Sequence, residues 1–264
     1  MYEQKRRWNS VATALLAAER TRVPMTPLTT RPVGLTIENA YRIQAAAIAR
    51  RTAGGARVVG HKVGATSRAM QEQMGVDEPD SGVLMGDMVL HSGSELVRSD
   101  LMAPRVEAEI AFQLGNDLRG PGLTLEAVKA AVSQVCLAIE VIDTRFTSWR
   151  IALADSIADN ASCARAVIGP MVPHDPAWDL AAEQLILSID GRTVASGKGR
   201  AVLGDPFRPL VWLADRLSRV ESSRTLRAGD LVLAGAVHAS IPLNAGVTVR
   251  VLSPHLPPVH LRVT

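Results

Sequence analysis

Two glutamates, two residues apart in an otherwise apolar run, are the first residues in this sequence with chemistry to offer. In Arg105-Val-Glu-Ala-Glu-Ile-Ala-Phe-Gln-Leu114, Val106, Ala108, Ile110, Phe112 and Leu114 alternate with Arg105, Glu107, Glu109, Ala111 and Gln113. A strand has a side-chain period of two, so Glu107 and Glu109 project from one face, with Cα atoms roughly 7 Å apart. Glutamate is uncommon in strands, and at about 6 Å and an effective dielectric near 20 such a pair repels by on the order of 3 kcal/mol. Water, a basic neighbour or a cation must offset that, and a solvated strand face would serve as well as a site. A second run, Val135-Cys-Leu-Ala-Ile-Glu140-Val-Ile-Asp143, is almost wholly apolar and reads as a buried strand. Glu140 inside it needs a partner, because an unpaired buried carboxylate is costly. Three carboxylates with open coordination positions suit a hard cation, Mg²⁺ or Mn²⁺. Periodicity alone does not bring the two strands together.

The elements that must position these residues divide the chain in two. Residues 1–60 read as helical, with Glu3 to Arg20 at helical spacing, a stretch holding Pro24, Pro27 and Pro32, and a helix capped by Thr36 that runs to about Arg51 before Gly54–Gly55. Thr66 or Ser67 caps a short helix through Met74. Residues 61–264 then read as the β-rich part, with β-like runs at 105–114, 135–142, 164–169, 184–196, 230–235, 246–252 and 259–263. Asp190–Gly191 marks a hairpin turn, and helices are expected after Thr124 and after Asp205–Pro206. Gly60-His-Lys-Val-Gly64 reads by itself as a loop, and Asp80 and Asp159–Asn160 as turn formers. Runs of strands without strict βαβ alternation argue for α+β.

Composition narrows the partners. The 264 residues carry a formal net charge of +3, scattered basic residues and 3% aromatics, which does not make a nucleic-acid surface. Two cysteines at no metal-like spacing, a start without a long apolar core and no apolar run near the ~20 residues of a membrane span predict a cytoplasmic protein. Neither a Gly-x-Ser-x-Gly elbow nor Walker spacing around Lys198 is present. His61, His238 and His255 are not at ligand spacing and are expected at the surface or a pocket rim.

Three motifs in register resemble the 2-keto-4-pentenoate hydratase / 2-oxo-3-hexenedioate decarboxylase family of the fumarylacetoacetate hydrolase superfamily. They are Gly60-His-Lys-Val-Gly-Ala-Thr-Ser67 continuing to Gly75-Val-Asp-Glu-Pro-Asp80, Pro104-Arg-Val-Glu-Ala-Glu-Ile-Ala-Phe112, and Glu140-Val-Ile-Asp143 with Ala158-Asp-Asn-Ala-Ser-Cys163. The resemblance implies a β-rich core of twisted, rolled mixed sheets preceded by N-terminal helices, in a homo-oligomer that can associate with a downstream aldolase or a sister decarboxylase. It implies that Glu107, Glu109 and Glu140 hold Mg²⁺ or Mn²⁺, that Lys62 and Asp80 are acid/base or polarising groups, and that Ser162 and Leu84 contact substrate. The sequence departs from the family at Ala65 and Ala234–Gly235 and over Ser253–Pro258, segments expected to shape the distal pocket.

The implied activity is hydration of 2-hydroxypenta-2,4-dienoate, or a close homologue, to a 4-hydroxy-2-oxo acid in aromatic catabolism. Metal-dependent decarboxylation of 2-oxo-3-hexenedioate (4-oxalocrotonate) is the alternative, and a non-catalytic partner subunit is a third reading that the intact glutamates and Lys62 oppose. A cation beside Lys62 is expected to lower its pKa. The segment Ala234–Pro242 holds no Arg or Lys, so the distal end of the pocket is expected to be uncharged, with His238 as its one source of positive charge.

Overall fold

Thr36, Ser67 and Thr124 each take up one of a helix's free N–H groups: their hydroxyls accept from the backbone of Asn39, Met70 and Ala127. The structure, a computed structural model, describes residues 2–30, 34–220 and 225–264, so Pro32 lies outside the described residues. The helices are α1 (Tyr2–Thr21), α2 (Ile37–Ala53), α3 (Arg68–Met74), α4 (Leu125–Ala131), α5 (Leu153–Ala158) and α6 (Arg208–Val220). The two long N-terminal helices, and those after Ser67, Thr124 and Asp205, match the sequence reading. Asp205 still takes the Phe207 N–H on its side chain and the Arg208 N–H on its carbonyl, so this capping residue lies three residues ahead of the helix. α5 was not foreseen, since six residues are too few to display a helical period.

The strands are β1 (Val58–Gly64), β2 (Asp80–Met85), β3 (Val89–His91), β4 (Glu95–Leu96), β5 (Arg105–Leu114), β6 (Val132–Ile142), β7 (Cys163–Ile168), β8 (Val172–Pro173), β9 (Gln184–Ile189), β10 (Arg192–Lys198), β11 (Leu231–Leu233), β12 (Ile241–Pro242), β13 (Val247–Leu252) and β14 (Val259–Val263). They form a nine-stranded mixed sheet in the order β2-β1-β11-β5-β6-β7-β3, with β12 on β5 and β8 on β6, and a five-stranded sheet β10-β9-β13-β14-β4. β2 also packs against β7 from the far side of the order, so the larger sheet rolls on itself. The β9–β10 hairpin turns at Asp190–Gly191, both at positive φ.

The alternation in β5 now has a cause. Val106, Ala108, Ile110 and Phe112 face the second sheet and join one core with Leu185, Leu187, Val249, Val251 and Leu261. Burial of that kind contributes roughly 1.5–3 kcal/mol per large side chain, and it sends Glu107 and Glu109 to the opposite, inner face of the roll. α1, α2 and α5 share a separate apolar cluster around Trp8, Ile43 and Phe146.

β1 and β2 differ from the sequence reading. Residues 60–64 are a strand, not a loop, and Asp80 opens a strand instead of a turn. Gly60, Gly64 and Gly82 erase the apolar alternation that would have announced them. The ladders come from β2, antiparallel, and β11, parallel, partners that no local pattern encodes.

Candidate active site

The long β5–β6 ladder sets Glu107 directly opposite Glu140, with Glu109 one same-face step along. One oxygen from each of the three lies within 4.8 Å of the others, and all three residues are buried. Glu109 Oε2 accepts the Gly235 N–H at 2.7 Å. Oε1 of Glu107, Oε1 of Glu109 and both Glu140 oxygens have no hydrogen-bond partner. Burial, then the Glu140 charge, pushes the Glu107 carboxyl up to about 8 against the pull of Lys62. Burial and both neighbouring glutamates raise Glu109 well above the carboxylate range. Uncompensated buried carboxylates are expensive. Converging oxygens with free lone pairs and no soft ligand among them fit a hard divalent cation.

Lys62, from β1, reaches this cluster with its Nζ 3.4 Å from Glu140 Oε2 and donates a 3.0 Å hydrogen bond to the Ala161 carbonyl. Burial works to lower its pKa, but with no ion between them Glu140, Asp80 and Glu107 outweigh burial and raise it. Asp80 lies across the β1–β2 ladder, paired with Gly64, and its Oδ2 accepts from Ser156 Oγ at 2.6 Å. A Cβ on Gly64 would collide with both Asp80 Oδ1 and the Lys62 ammonium, so a glycine is required for the two side chains to converge there.

Ser162 is buried with its hydroxyl unpartnered. It ends three successive non-glycine residues at positive φ, Asn160, Ala161 and Ser162. Such strain persists only where the surroundings fix it. Here Asn160 is clamped to Val83 through both backbone groups, and the turn aims the Ala161 carbonyl at Lys62. Leu84 shares the inner face of β2 with Asp80, four residues along, and is fully buried in an apolar cluster with Ala111, Ala138, Cys163 and Leu233. Asp143 fixes the approach to β5 by accepting the Met102 and Ala103 N–H groups. Asp159 is no mere turn former, since it pairs with buried Arg145.

Two expectations for the distal end are corrected. His238 is buried; its Nε2 accepts the Ala108 N–H at 3.3 Å and its Nδ1 is 2.8 Å from the Ala239 carbonyl, which assigns the proton to Nδ1 in a neutral ring. Burial also lowers its pKa, so it supplies no cation at neutral pH. His255 sits at the surface paired to Glu183. The 234–242 segment does meet an arginine: β12 pairs Pro242 with Arg105, whose Nε and Nη2 donate to Ser240 Oγ and the Ser240 carbonyl, both at 2.7 Å. Gly235 meets the carboxylates through its N–H, and its φ of 105° and the Thr66 hydroxyl where a Cβ would stand exclude a side chain. Arg105 was visible as a same-face neighbour of Glu107; Trp149 and Arg150, which join it, left no sequence signal.

A rolled mixed sheet whose inner strands carry three open carboxylates, a buried lysine and a strained serine turn defines an α+β protein with a carboxylate centre fit for a divalent cation. The model of the fumarylacetoacetate (FAA) hydrolase C-terminal family matches residues 52–264, and the chain belongs to that family. It is 38% identical over 234 residues to a 2-hydroxyhexa-2,4-dienoate hydratase of Comamonas testosteroni, covering 88% of each chain. It is 42% identical over 225 residues to a 4-oxalocrotonate decarboxylase of a Pseudomonas species, covering 85% of this chain and 86% of the relative. Its fold superposes on the 4-oxalocrotonate decarboxylase of Pseudomonas putida G7, solved with magnesium and adipate, with a TM-score of 0.92, 31% identity and 98% of each chain covered. Among the described residues no helix is long and apolar enough to cross a membrane.

Proposed function

We propose that this protein is a metal-dependent hydro-lyase that adds water to 2-hydroxypenta-2,4-dienoate or a close homologue, giving a 4-hydroxy-2-oxo acid. The observation that carries the reading is the set of four buried, unpartnered oxygens on Glu107, Glu109 and Glu140 beside Lys62. The hydratase relative supports the reaction class. Glu107, Glu109 and Glu140 hold the divalent ion, Mg²⁺ or Mn²⁺, which when bound supplies Lewis-acid polarisation of the substrate's C1 carboxylate and C2 oxygen.

The chain's own groups handle the protons. The 2-hydroxyl proton leaves as the enol collapses to the ketone, and Lys62 delivers a proton to C5, giving the α,β-unsaturated 2-oxo acid. Asp80, oriented by Ser156, takes a proton from the water whose oxygen adds at C4, and a proton enters at C3. Ser162 offers its free hydroxyl to the substrate's carboxylate end, and Leu84 closes the inner wall. The two cysteines are buried and unbridged, as suits the cytoplasm. A homo-oligomer follows the family resemblance and is measured by sedimentation.

The second reading, decarboxylation of 2-oxo-3-hexenedioate, is favoured by one observation, the Arg105 guanidinium at the distal end. Turnover of enzymatically generated 2-hydroxypentadienoate and of 2-oxo-3-hexenedioate, with and without Mg²⁺, tests both. Hydrated product from the dienoate supports the hydro-lyase. CO₂ and unhydrated five-carbon dienoate from the dioate, with no hydration of the dienoate itself, move the protein to the carboxy-lyases.

A further inference from the structure

Among the described residues, a second buried hydroxyl besides that of Ser162 has no hydrogen-bond partner, the hydroxyl of Thr66. Thr66 is 2% exposed. A threonine hydroxyl both donates and accepts, and leaving it idle in a dry interior is costly unless something arrives to meet it.

The backbone fixes its position from both sides. The Thr66 carbonyl accepts the Leu203 N–H at 3.0 Å, and Ser67, which caps α3, bridges to Val202. Ala65 turns the chain just before it, at a φ of 52°. The Thr66 hydroxyl fills the point where a Cβ on Gly235 would stand; the Val63 carbonyl faces the same point, yet the two make no hydrogen bond. Gly235 is the residue whose N–H holds Glu109 Oε2 at 2.7 Å. Thr66 therefore stands at the Glu109 corner of the carboxylate centre, in space that a side chain at 235 would take.

Ser162 marks the opposite flank. In the order β11-β5-β6-β7, Gly235 follows β11 and Ser162 precedes β7, while β5 and β6 between them carry the three glutamates. One idle hydroxyl lies beside Glu109. The other lies on the Glu140 side, next to the Ala161 carbonyl that takes the Lys62 ammonium. The head of a 2-hydroxydienoate is planar and has two oxygen-bearing edges, the C1 carboxylate and the C2 oxygen. With Ser162 at the carboxylate, the C2 oxygen faces Thr66.

We propose that Thr66 is a further catalytic residue, whose hydroxyl donates to the C2 oxygen of the bound substrate. The assignment rests on the hydro-lyase reading and deepens it. Negative charge grows on that oxygen as the 2-hydroxyl proton leaves. A fixed neutral donor in a dry site stabilises such charge without taking up a proton.

Thr66→Val keeps the shape of the side chain and removes the hydroxyl, whereas Thr66→Ser keeps the hydroxyl and removes the methyl. Calorimetry in Mg²⁺ compares pyruvate, which has both head groups, with propionate, which has the carboxylate and no C2 oxygen. Thr66→Val should weaken pyruvate about tenfold or more, with propionate and Mg²⁺ affinities within about threefold of wild type. Thr66→Ser should restore the pyruvate affinity. For 2-hydroxypentadienoate, kcat/KM should fall by about 10–100-fold in Thr66→Val. Its metal-free melting temperature should stay level or rise, because an idle polar group has gone; a merely structural hydroxyl would lower it.

Pyruvate affinity unchanged in Thr66→Val, or pyruvate and propionate weakened alike, overturns the contact. If dienoate hydration persists in that case, the hydro-lyase reading stands. If the wild type hydrates no dienoate but Thr66→Val still loses pyruvate selectively, the contact stands and the reaction assignment fails. Thr66→Ala gives the same comparison should Thr66→Val misfold.

Discussion

Among the described residues, two buried ionic clusters solve the same electrostatic problem in opposite ways. Arg145 and Asp159 complete each other: Nε reaches Oδ1 at 2.5 Å, the Arg145 N–H reaches Oδ2 at 2.9 Å, and Nη2 reaches the Asp159 carbonyl at 2.6 Å. Burial still pushes the Asp159 carboxyl up to about 6, and Arg145 pulls against it. Glu107, Glu109 and Glu140 sit as deep but share one ammonium and leave four oxygens without a hydrogen bond. A cluster that satisfies itself is structural. One that stays unsatisfied while its backbone is fixed by a long ladder has its geometry set for something else.

The largest effect expected from breaking this contrast is on catalysis. Glu107→Gln, or removal of the divalent ion with a chelator, should lower kcat/KM by about 10³-fold or more. The metal-free melting temperature of Glu107→Gln should stay level, or rise above about pH 8, where the substitution removes a buried carboxylate charge. Full activity in a chelated preparation would sink the metal assignment. Arg145→Met should do the reverse, costing about 3–5 kcal/mol of stability by leaving Asp159 buried without its partner. Replacing Asp159 by Leu in the same chain should recover part of that loss, and denaturant melts of both variants read it directly.

Lys62→Ala sharpens the division inside the candidate site. Turnover is expected to fall by about 10²-fold or more, as for loss of a proton-transfer group, while divalent-ion affinity changes less than tenfold. Equal losses in both would make Lys62 part of the ion's cage. The smallest effect is a pH dependence. Glu107 is raised from 4.5 to about 8 in the folded protein, so the native state holds a proton that the unfolded chain has released. Its contribution is present in full below about 4.5 and is lost as pH climbs through about 8, so the metal-free melting temperature should decline across that window. Ion binding must expel the same proton, so affinity should rise with pH up to about 8 and calorimetry should detect proton release. A pH-independent affinity between 6 and 8 would contradict the raised carboxyl.

The position of each element in the chain explains how much of this was legible. Glu107 and Glu109 announced a shared face because strand periodicity is local, and Thr36, Ser67 and Thr124 announced helix starts because a cap reaches only three residues. The resemblance then supplied what periodicity could not, the link from Glu107 to Glu140 and to Lys62. β1 was invisible because its glycines carry no pattern. Its position follows from ladders with β2 and with β11, some 170 residues away, and those ladders put Lys62 inside instead of on a loop.

By itself the sequence determined the fold class, the caps, the hairpin at Asp190–Gly191, the same-face glutamates and the family. Only the tertiary structure decided what surrounds them. The pairing of Pro242 with Arg105 turned a segment without a cation into the wall of a cationic pocket, and two backbone bonds fixed His238 as a neutral ring. The physical reason is range. Side-chain period and capping depend on neighbours a few residues away, whereas charge, pKa and specificity depend on groups brought together by register across more than a hundred residues.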